Sequence, residues 1–209
     1  MRLYVWGRAP NPRRVRMYLV EKGLSVPMED AGDGPQLSAT YKAKYPFAMV
    51  PMLELDNGTK IGEAMAICRY FETLHPAPAL MGTDAKEKAV IEMWERRAYD
   101  EGLIGAAEVF RNTHAAFKDR SIPGYDIPVP QVPALEIRGR QRLSRFFEVF
   151  DQQLADNEFV AGHHISVADI TALCAIDFAK NRAETGIPEG RDNVRRWYEA
   201  VSTRPSAAA

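Results

Sequence analysis

Leu3-Tyr4-Val5-Trp6-Gly7-Arg8-Ala9-Pro10-Asn11-Pro12-Arg13-Arg14-Val15 is the stretch in which a short apolar run hands over to a helical pattern. Leu3 to Trp6 reads as a buried strand. Asn11 suits a helix N-cap, and Pro12 suits the first helical position, where the missing N–H costs nothing. A helix that starts just beyond a strand end presents free N–H groups and the positive end of its dipole. Such a place attracts a thiolate or a carboxylate.

Working outward, Val15, Tyr18 and Leu19 share one helical face, and Gly23 stops that helix. Leu24 to Met28 reads as a second strand and Gln36 to Lys44 as a further helix. Pro51 to Leu55 and Thr59 to Ile61 flank Asp56-Asn57-Gly58, a strong hairpin signal. Ala64, Ile67, Cys68 and Phe71 then recur at helical spacing. The order β-α-β-α-β-β-α over residues 1–75 is a thioredoxin-like α/β layout. Pro76 and Pro78 mark a linker over residues 76–83, and residues 84–209 read as an all-α domain. Val90, Met93, Trp94 and Ala98 mark one face of a long helix; Leu143, Phe146, Phe147, Phe150 and Leu154 mark another. Between them Ser121 to Pro133 holds four prolines and no periodicity, as a functional loop or a mobile connection would. Ser166-Val167-Ala168-Asp169 has the form of a capping box, with Ser166 and Asp169 in structural capping roles and Ile165 and Ile170 as the staple. A last helix is expected from Asp192 to Thr203.

The 209 residues carry a net charge of -1, with 46% hydrophobic and 26% charged side chains, which advertises no nucleic-acid surface and fits an ordinary soluble protein. The basic run Arg8, Arg13, Arg14, Arg16 reads as a solvated first turn, from which Arg8 could line an anion site. Cys68 and Cys174 each sit in an apolar helical pattern, so a reducing compartment is expected rather than a disulfide framework. Arg2 is followed by a strand rather than an apolar run, and no stretch approaches the ~20 apolar residues that span a bilayer. The expectation is a cytoplasmic protein with neither membrane nor nucleic acid as partner.

Phosphate-binding loops, dinucleotide fingerprints, nucleophile elbows and HExxH zinc motifs do not occur. His163-His164 lack a third ligand nearby in sequence, so no metal site is expected. Val50-Pro51 stands immediately before a strand, either as a first-strand proline or as a cis bond that turns the backbone of residue 50 outward to a ligand. Glu63 opens the third helix with Ala64. It can serve the helix dipole, or meet a ligand ammonium while helix N–H groups meet a ligand carboxylate.

These features together resemble the cytosolic glutathione transferases along nearly the whole chain. Pro10-Asn11-Pro12-Arg13-Arg14-Val15-Arg16, Val50-Pro51, Gly62-Glu63-Ala64 with Ile67-Cys68-Arg69-Tyr70-Phe71, Ser166-Val167-Ala168-Asp169 and the closing Arg204-Pro205-Ser206 carry the likeness. The resemblance implies a thioredoxin-like glutathione-binding domain, a helical domain that takes a small hydrophobic electrophile, a cis Pro51 and a homodimer. It also exposes two departures. The serine or cysteine that such enzymes place six residues before the equivalent of Val15 is Ala9, and the serine that holds the γ-glutamyl carboxylate is Ala64. The pattern is similar to the Nu class, where an asparagine helps hold the sulfur. Asn11 matches that position, and Gln36 matches a glutamine contacting the glycyl end. The implied glutathione set is Asn11, Gln36, Val50, Pro51, Glu63 and Ala64, with Asn11 catalytic and no metal. The electrophile would lie beside Trp6, Arg8 and Tyr99, along Tyr99 to Phe110. Glutathione-dependent reduction of disulfides or peroxides, and a non-catalytic binding role, are the alternatives. Ala9 and Pro12 replace a Cys-x-x-Cys pair, so sulfur chemistry would use glutathione's own thiol.

Overall fold

The computed structural model describes residues 1–7, 9–33 and 36–209, with the backbone alone for Asp33 and Gln36. Strand β1 (Arg2–Val5) leads into α1 (Pro10–Glu21), followed by β2 (Met28–Asp30), the short pair β3 (Gly32–Asp33) and β4 (Gln36–Leu37), and α2 (Ala39–Lys44). The hairpin β5 (Met52–Glu54) and β6 (Lys60–Gly62) precedes α3 (Ala64–Leu74). The main sheet runs β2-β1-β5-β6, with β1 parallel to β2 and the other neighbours antiparallel. This is the expected thioredoxin-like arrangement, with β3–β4 as an addition.

Two local expectations shift for physical reasons, and a third holds. The second strand begins at Met28 rather than Leu24, because Pro27 has no N–H to give a ladder; its carbonyl instead accepts from Leu3 N–H at 2.9 Å. The second helix begins at Ala39, where the Ser38 hydroxyl accepts the Tyr41 N–H at 3.1 Å, and Gln36 and Leu37 join the short strand pair. The hairpin turn holds, with Gly58 at φ 83° and Thr59 N–H bonded to the Asn57 side chain at 3.0 Å.

The rest is helical. Asp84 caps α4 (Ala85–Arg97), which runs through a π-helical segment (Ala98–Leu103) into α5 (Ile104–Thr113); α6 (Pro133–Ala155), α7 (Val167–Arg182), α8 (Asp192–Ser202) and a 3₁₀ turn (Pro205–Ala208) follow. The π segment lies where Gly102 meets the centre of the domain: a Cβ there would come within 2.9 Å of Ala175 Cβ and 3.1 Å of the Phe146 ring. Leu143, Phe146, Phe147, Phe150 and Leu154 are all buried, as their spacing requires. On α4 the expected stripe is displaced. Met93 is 51% exposed, and the buried side chain of that turn is the charged Glu95. Helix α7 is central and buried nearly all round, which erases the amphipathic signal. It starts from a complete capping box, in which Ser166 Oγ accepts from Ala168 N–H at 3.2 Å and Asp169 accepts from Ser166 N–H at 2.9 Å. Asp169 also accepts the Trp197 indole N–H at 2.9 Å and the Val160 N–H at 2.8 Å, so the cap ties α8 and the preceding loop to α7. No helix among the described residues is long and apolar enough to cross a membrane.

Candidate active site at the sheet edge

Strand register alone gathers three separated segments. Met52 lies opposite Tyr4 on one side and Gly62 on the other. The exit of β1 toward Ala9, the entry to β5 at Val50-Pro51 and the exit of β6 toward Glu63 therefore share one end of the sheet. Val50-Pro51 is cis. Gly62 is fixed there by close approach, since a Cβ would fall 1.9 Å from the Tyr45 hydroxyl oxygen.

At the start of α1 the structure corrects the expected cap. Ala9 is the N-cap, in extended conformation and without a side-chain bond, and Pro10, Asn11 and Pro12 are the first three helical residues. Two prolines among those three leave the Asn11 N–H as the only backbone donor they offer. Asn11 is thus relieved of capping, and its side chain is held otherwise: Oδ1 accepts from Arg14 Nη1 at 2.9 Å. With the oxygen occupied, the amide Nδ2–H₂ is turned away from Arg14 and has no partner among the described residues.

Arg13 and Arg14 of the basic run are not solvated either. Arg14 is 3% exposed. Its Nε donates to Thr171 Oγ1 at 3.0 Å, its Nη2 contacts Glu95, and the Thr171 hydroxyl donates to Glu95 Oε1 at 3.1 Å. Arg13 pairs with Asp177 at 2.6 Å and donates to the Ala207 carbonyl at 2.8 Å. Both arginines face α7 rather than water, and so join α1 to the helical domain. Burial pushes the Glu95 carboxyl up, and Arg14 beside it opposes that shift. Sequence reasoning missed Arg14, Glu95 and Thr171. The one available signal was a charged residue at a helical position where Met93 and Trp94 suggested an apolar face.

Glu63 caps α3 with φ 62° and ψ 123°, a left-handed conformation costing a non-glycine residue about 1–3 kcal/mol. Its carboxylate is exposed, and among the described residues no side chain caps the helix. The first-turn N–H groups from Ala64 are consequently open to a ligand anion, while Ile67 N–H closes the first helical bond onto Glu63 at 3.1 Å.

Tyr99, in the π-helical segment, faces this end from the helical domain. Arg14 Cζ lies 5.1 Å from its ring centroid and Arg96 Cζ 5.6 Å. Burial pushes the phenol up, with Arg14 opposing. Trp6 lies over Gly32, where a Cβ would meet its indole at 2.5 Å. Arg8 lies outside the described residues, as does the side chain of Gln36. His163 and His164 are exposed, and among the described residues no group of three or more metal-ligating side chains is assembled.

The proline-rich loop lands on the same edge. Gly124, at φ 82°, sits where a Cβ would be 2.7 Å from the Phe47 carbonyl and 3.6 Å from Met49 Cγ, just before Val50-Pro51. Gln131 Nε2 donates to the Arg111 and His114 carbonyls at 2.9 and 3.0 Å, and Asn112 accepts Val132 N–H at 2.8 Å, which anchors the loop's return. A cavity of about 620 Å³ between α3 and α4 is lined by Met65, Arg69, Glu92 and Glu95 but by none of the expected site residues.

Residues 3–79 match the glutathione S-transferase N-terminal domain and residues 106–200 the C-terminal domain of the same family. The chain is 31% identical to glutathione S-transferase 2 of Saccharomyces cerevisiae, over 99% of this chain and 87% of that protein. A glutathione S-transferase domain-containing protein of Marinobacter aquaeolei VT8 superposes with a TM-score of 0.87 at 33% identity, covering 99% of both chains. A Gtt2-class glutathione S-transferase of Vibrio parahaemolyticus does so with a TM-score of 0.82 at 33% identity, covering 99% of this chain and 94% of the other.

Proposed function

The chain belongs to the glutathione S-transferase family and is a glutathione transferase-like enzyme, and on that premise we propose that Asn11, oriented by Arg14, activates the thiol of bound glutathione. The observation that carries this reading is the Asn11 amide, whose oxygen is held while its Nδ2–H₂ has no partner among the described residues, at the edge where α1, Val50-Pro51 and Glu63 meet.

Glutathione has two ends to place. Its γ-glutamyl carboxylate suits the open first turn of α3 at Ala64, and its ammonium suits the exposed Glu63 carboxylate. The backbone of Val50, before Pro51, pairs with the extended peptide. By the resemblance, Gln36 is the residue assigned to the glycyl end. Ala64 supplies an N–H where a serine would supply N–H and hydroxyl, a loss of about 0.5–1.5 kcal/mol.

The thiol then lies at the start of α1. A free thiol has a pKa of ~8.5, and lowering it by ~2 units requires ~2.7 kcal/mol of preference for the thiolate. With Pro10 and Pro12 contributing no N–H, the donors are the Asn11 side-chain and backbone N–H groups. Two hydrogen bonds to an anion, at about 1.5–3 kcal/mol each before desolvation, are sufficient in size. This use of asparagine is the Nu-like feature of the chain. The thiolate attacks a small hydrophobic electrophile lodged against Trp6, Arg8 and Tyr99; the new C–S bond forms as the leaving group departs with its electron pair, and no side chain acts as acid or base.

We place the domain division over residues 76–83, supported by α3 ending at Leu74 and α4 beginning at Ala85. A homodimer in the cytoplasm completes the proposal, supported by large apolar side chains left open, Phe47 at 71% and Met93 at 51% exposure. Retention on immobilised glutathione, with turnover of 1-chloro-2,4-dinitrobenzene, tests the reading; a protein that neither binds glutathione nor conjugates it refutes the reading.

A further inference from the structure

Arg111 closes α5 as a half-buried cation without a counter-ion: among the described residues its guanidinium has no ion-pair partner and no hydrogen-bond acceptor. Its neighbours are treated differently. Arg96 pairs with Asp100 at 2.7 Å, Arg97 with Glu101 at 2.9 Å, and Arg142 donates to the Asp100 carbonyl at 2.9 Å while reaching Glu108 at 3.5 Å. Burial lowers the Arg111 pKa, and the Tyr99 phenol is the group that favours its charge. An unpaired, partly desolvated charge is a standing cost to the fold, and such costs concentrate where a ligand relieves them.

Position says where that ligand would lie. Tyr99, Leu103, Ala107 and Arg111 recur at steps of four residues along the continuous helix. Long helical side chains lean toward the N-terminus of their helix, which carries Arg111 over the small Ala107 in the direction of Tyr99, and each of the two groups acts on the other's charge. The Tyr99 hydroxyl likewise has no hydrogen-bond partner among the described residues, and its ring stacks with Arg14, the residue that holds Asn11. A guanidinium fork and a phenol, each without a partner among the described residues, thus stand on one helical stripe, with the phenol against Arg14 of α1.

We propose that the electrophile accepted here carries a carboxylate at the end remote from its reactive carbon, and that Arg111 binds it bidentately with Tyr99 as the second donor. This rests on the transferase reading above and narrows its substrate class to small apolar electrophiles with an acidic tail. The planar fork of arginine matches the two oxygens of a carboxylate, which a lone ammonium would not orient. For a chloronitrobenzoate, the glutathione thiolate attacks the chlorine-bearing ring carbon, the C–S bond forms, and chloride leaves with the C–Cl electron pair. The carboxylate is unchanged and serves to hold the ring.

The test uses two glutathione conjugates that differ only at that end, S-(4-carboxy-2-nitrophenyl)glutathione and its 4-carbamoyl counterpart, titrated calorimetrically into the full-length protein. The wild type is expected to bind the carboxylate conjugate at least ten-fold tighter. Arg111→Met should bring the two affinities within two-fold of each other without lowering the melting temperature, and Arg111→Lys should retain part of the preference. Equal affinities in the wild type, or a preference that survives in Arg111→Met, would overturn the inference while leaving the transferase reading intact. A melting temperature that falls in Arg111→Met with the preference unchanged would assign Arg111 to the fold and also overturn it. Binding of neither conjugate would reject the glutathione reading and this inference with it.

Discussion

Arg14 Nη1 donates to Asn11 Oδ1 at 2.9 Å, and this bond decides which end of the Asn11 amide is left for a ligand. It converts an ordinary first-turn asparagine into a fixed donor beside a strand end. It also links that donor to the helical domain, because the same guanidinium is held by Thr171 and Glu95.

Asn11→Ala removes the side-chain donor but no helix cap, since Ala9 is the N-cap. Losing a hydrogen bond to an anion costs about 1.5–3 kcal/mol, so kcat/KM for glutathione conjugation should fall about ten- to a hundred-fold. The melting temperature should hardly move. A large fall in melting temperature with kcat/KM retained would return Asn11 to a structural role.

Glu95→Gln leaves Arg14 buried without its anion. Breaking one side of a buried pair costs about 3–5 kcal/mol, so thermal unfolding should shift down by many degrees. Combining Arg14→Met with Glu95→Leu should recover most of that stability, as apolar replacement of a buried pair often does. Conjugation should stay low in the stable double variant, because the Asn11 amide is no longer oriented. Recovery of both stability and turnover would show that Arg14 supports the fold alone.

Glu21 accepts from Arg204 through both carboxylate oxygens, at 2.8 and 2.7 Å, and from Ser206, which pins the final 3₁₀ turn to α1. The Arg204 bond chiefly holds its pKa below the ordinary value of 4.5. A depressed carboxylate stabilises fully above its unfolded pKa and loses that contribution as pH falls through the folded one. Glu21→Gln should therefore be less stable than the wild type by roughly 1–2 kcal/mol at neutral pH, with the two unfolding curves converging in acid below the ordinary carboxylate range.

Cys174 is buried beside Met17, and burial pushes its thiol up to about 11; Cys68 is buried and raised as well. Neither should react with an aromatic disulfide reagent in the native protein at pH 7, and both should react after denaturation. Fast labelling of one thiol in the folded state would contradict this packing.

The fold was readable where local chemistry and tertiary packing agree. The Asp56-Asn57-Gly58 turn, the aromatic stripe of α6 and the Ser166–Asp169 cap each follow from residues close together in sequence. Misreadings came where a distant partner overrides local preference. Arg13 and Arg14 face α7 across more than 150 positions, and Glu95 occupies a turn whose neighbours suggest an apolar face; the late start of β2, by contrast, is local and set by Pro27. Candidate site segments were legible as motifs, but their meeting at one sheet edge depends on the Tyr4–Met52–Gly62 register, which no single motif encodes. Arg111 was invisible for a different reason: an absent counter-ion is a property of three-dimensional surroundings.

The central claim is that Asn11 lowers the pKa of a bound thiol. Because both protein cysteines are buried and raised, thiolate absorbance near 240 nm in the glutathione complex reports the ligand alone. Titrated in the complex, the wild-type thiol should ionise about 1–2 pH units below free glutathione, and the Asn11→Ala complex should return at least one unit toward it. A wild-type complex that titrates like free glutathione, or an Asn11→Ala complex that titrates like the wild type, would contradict the account.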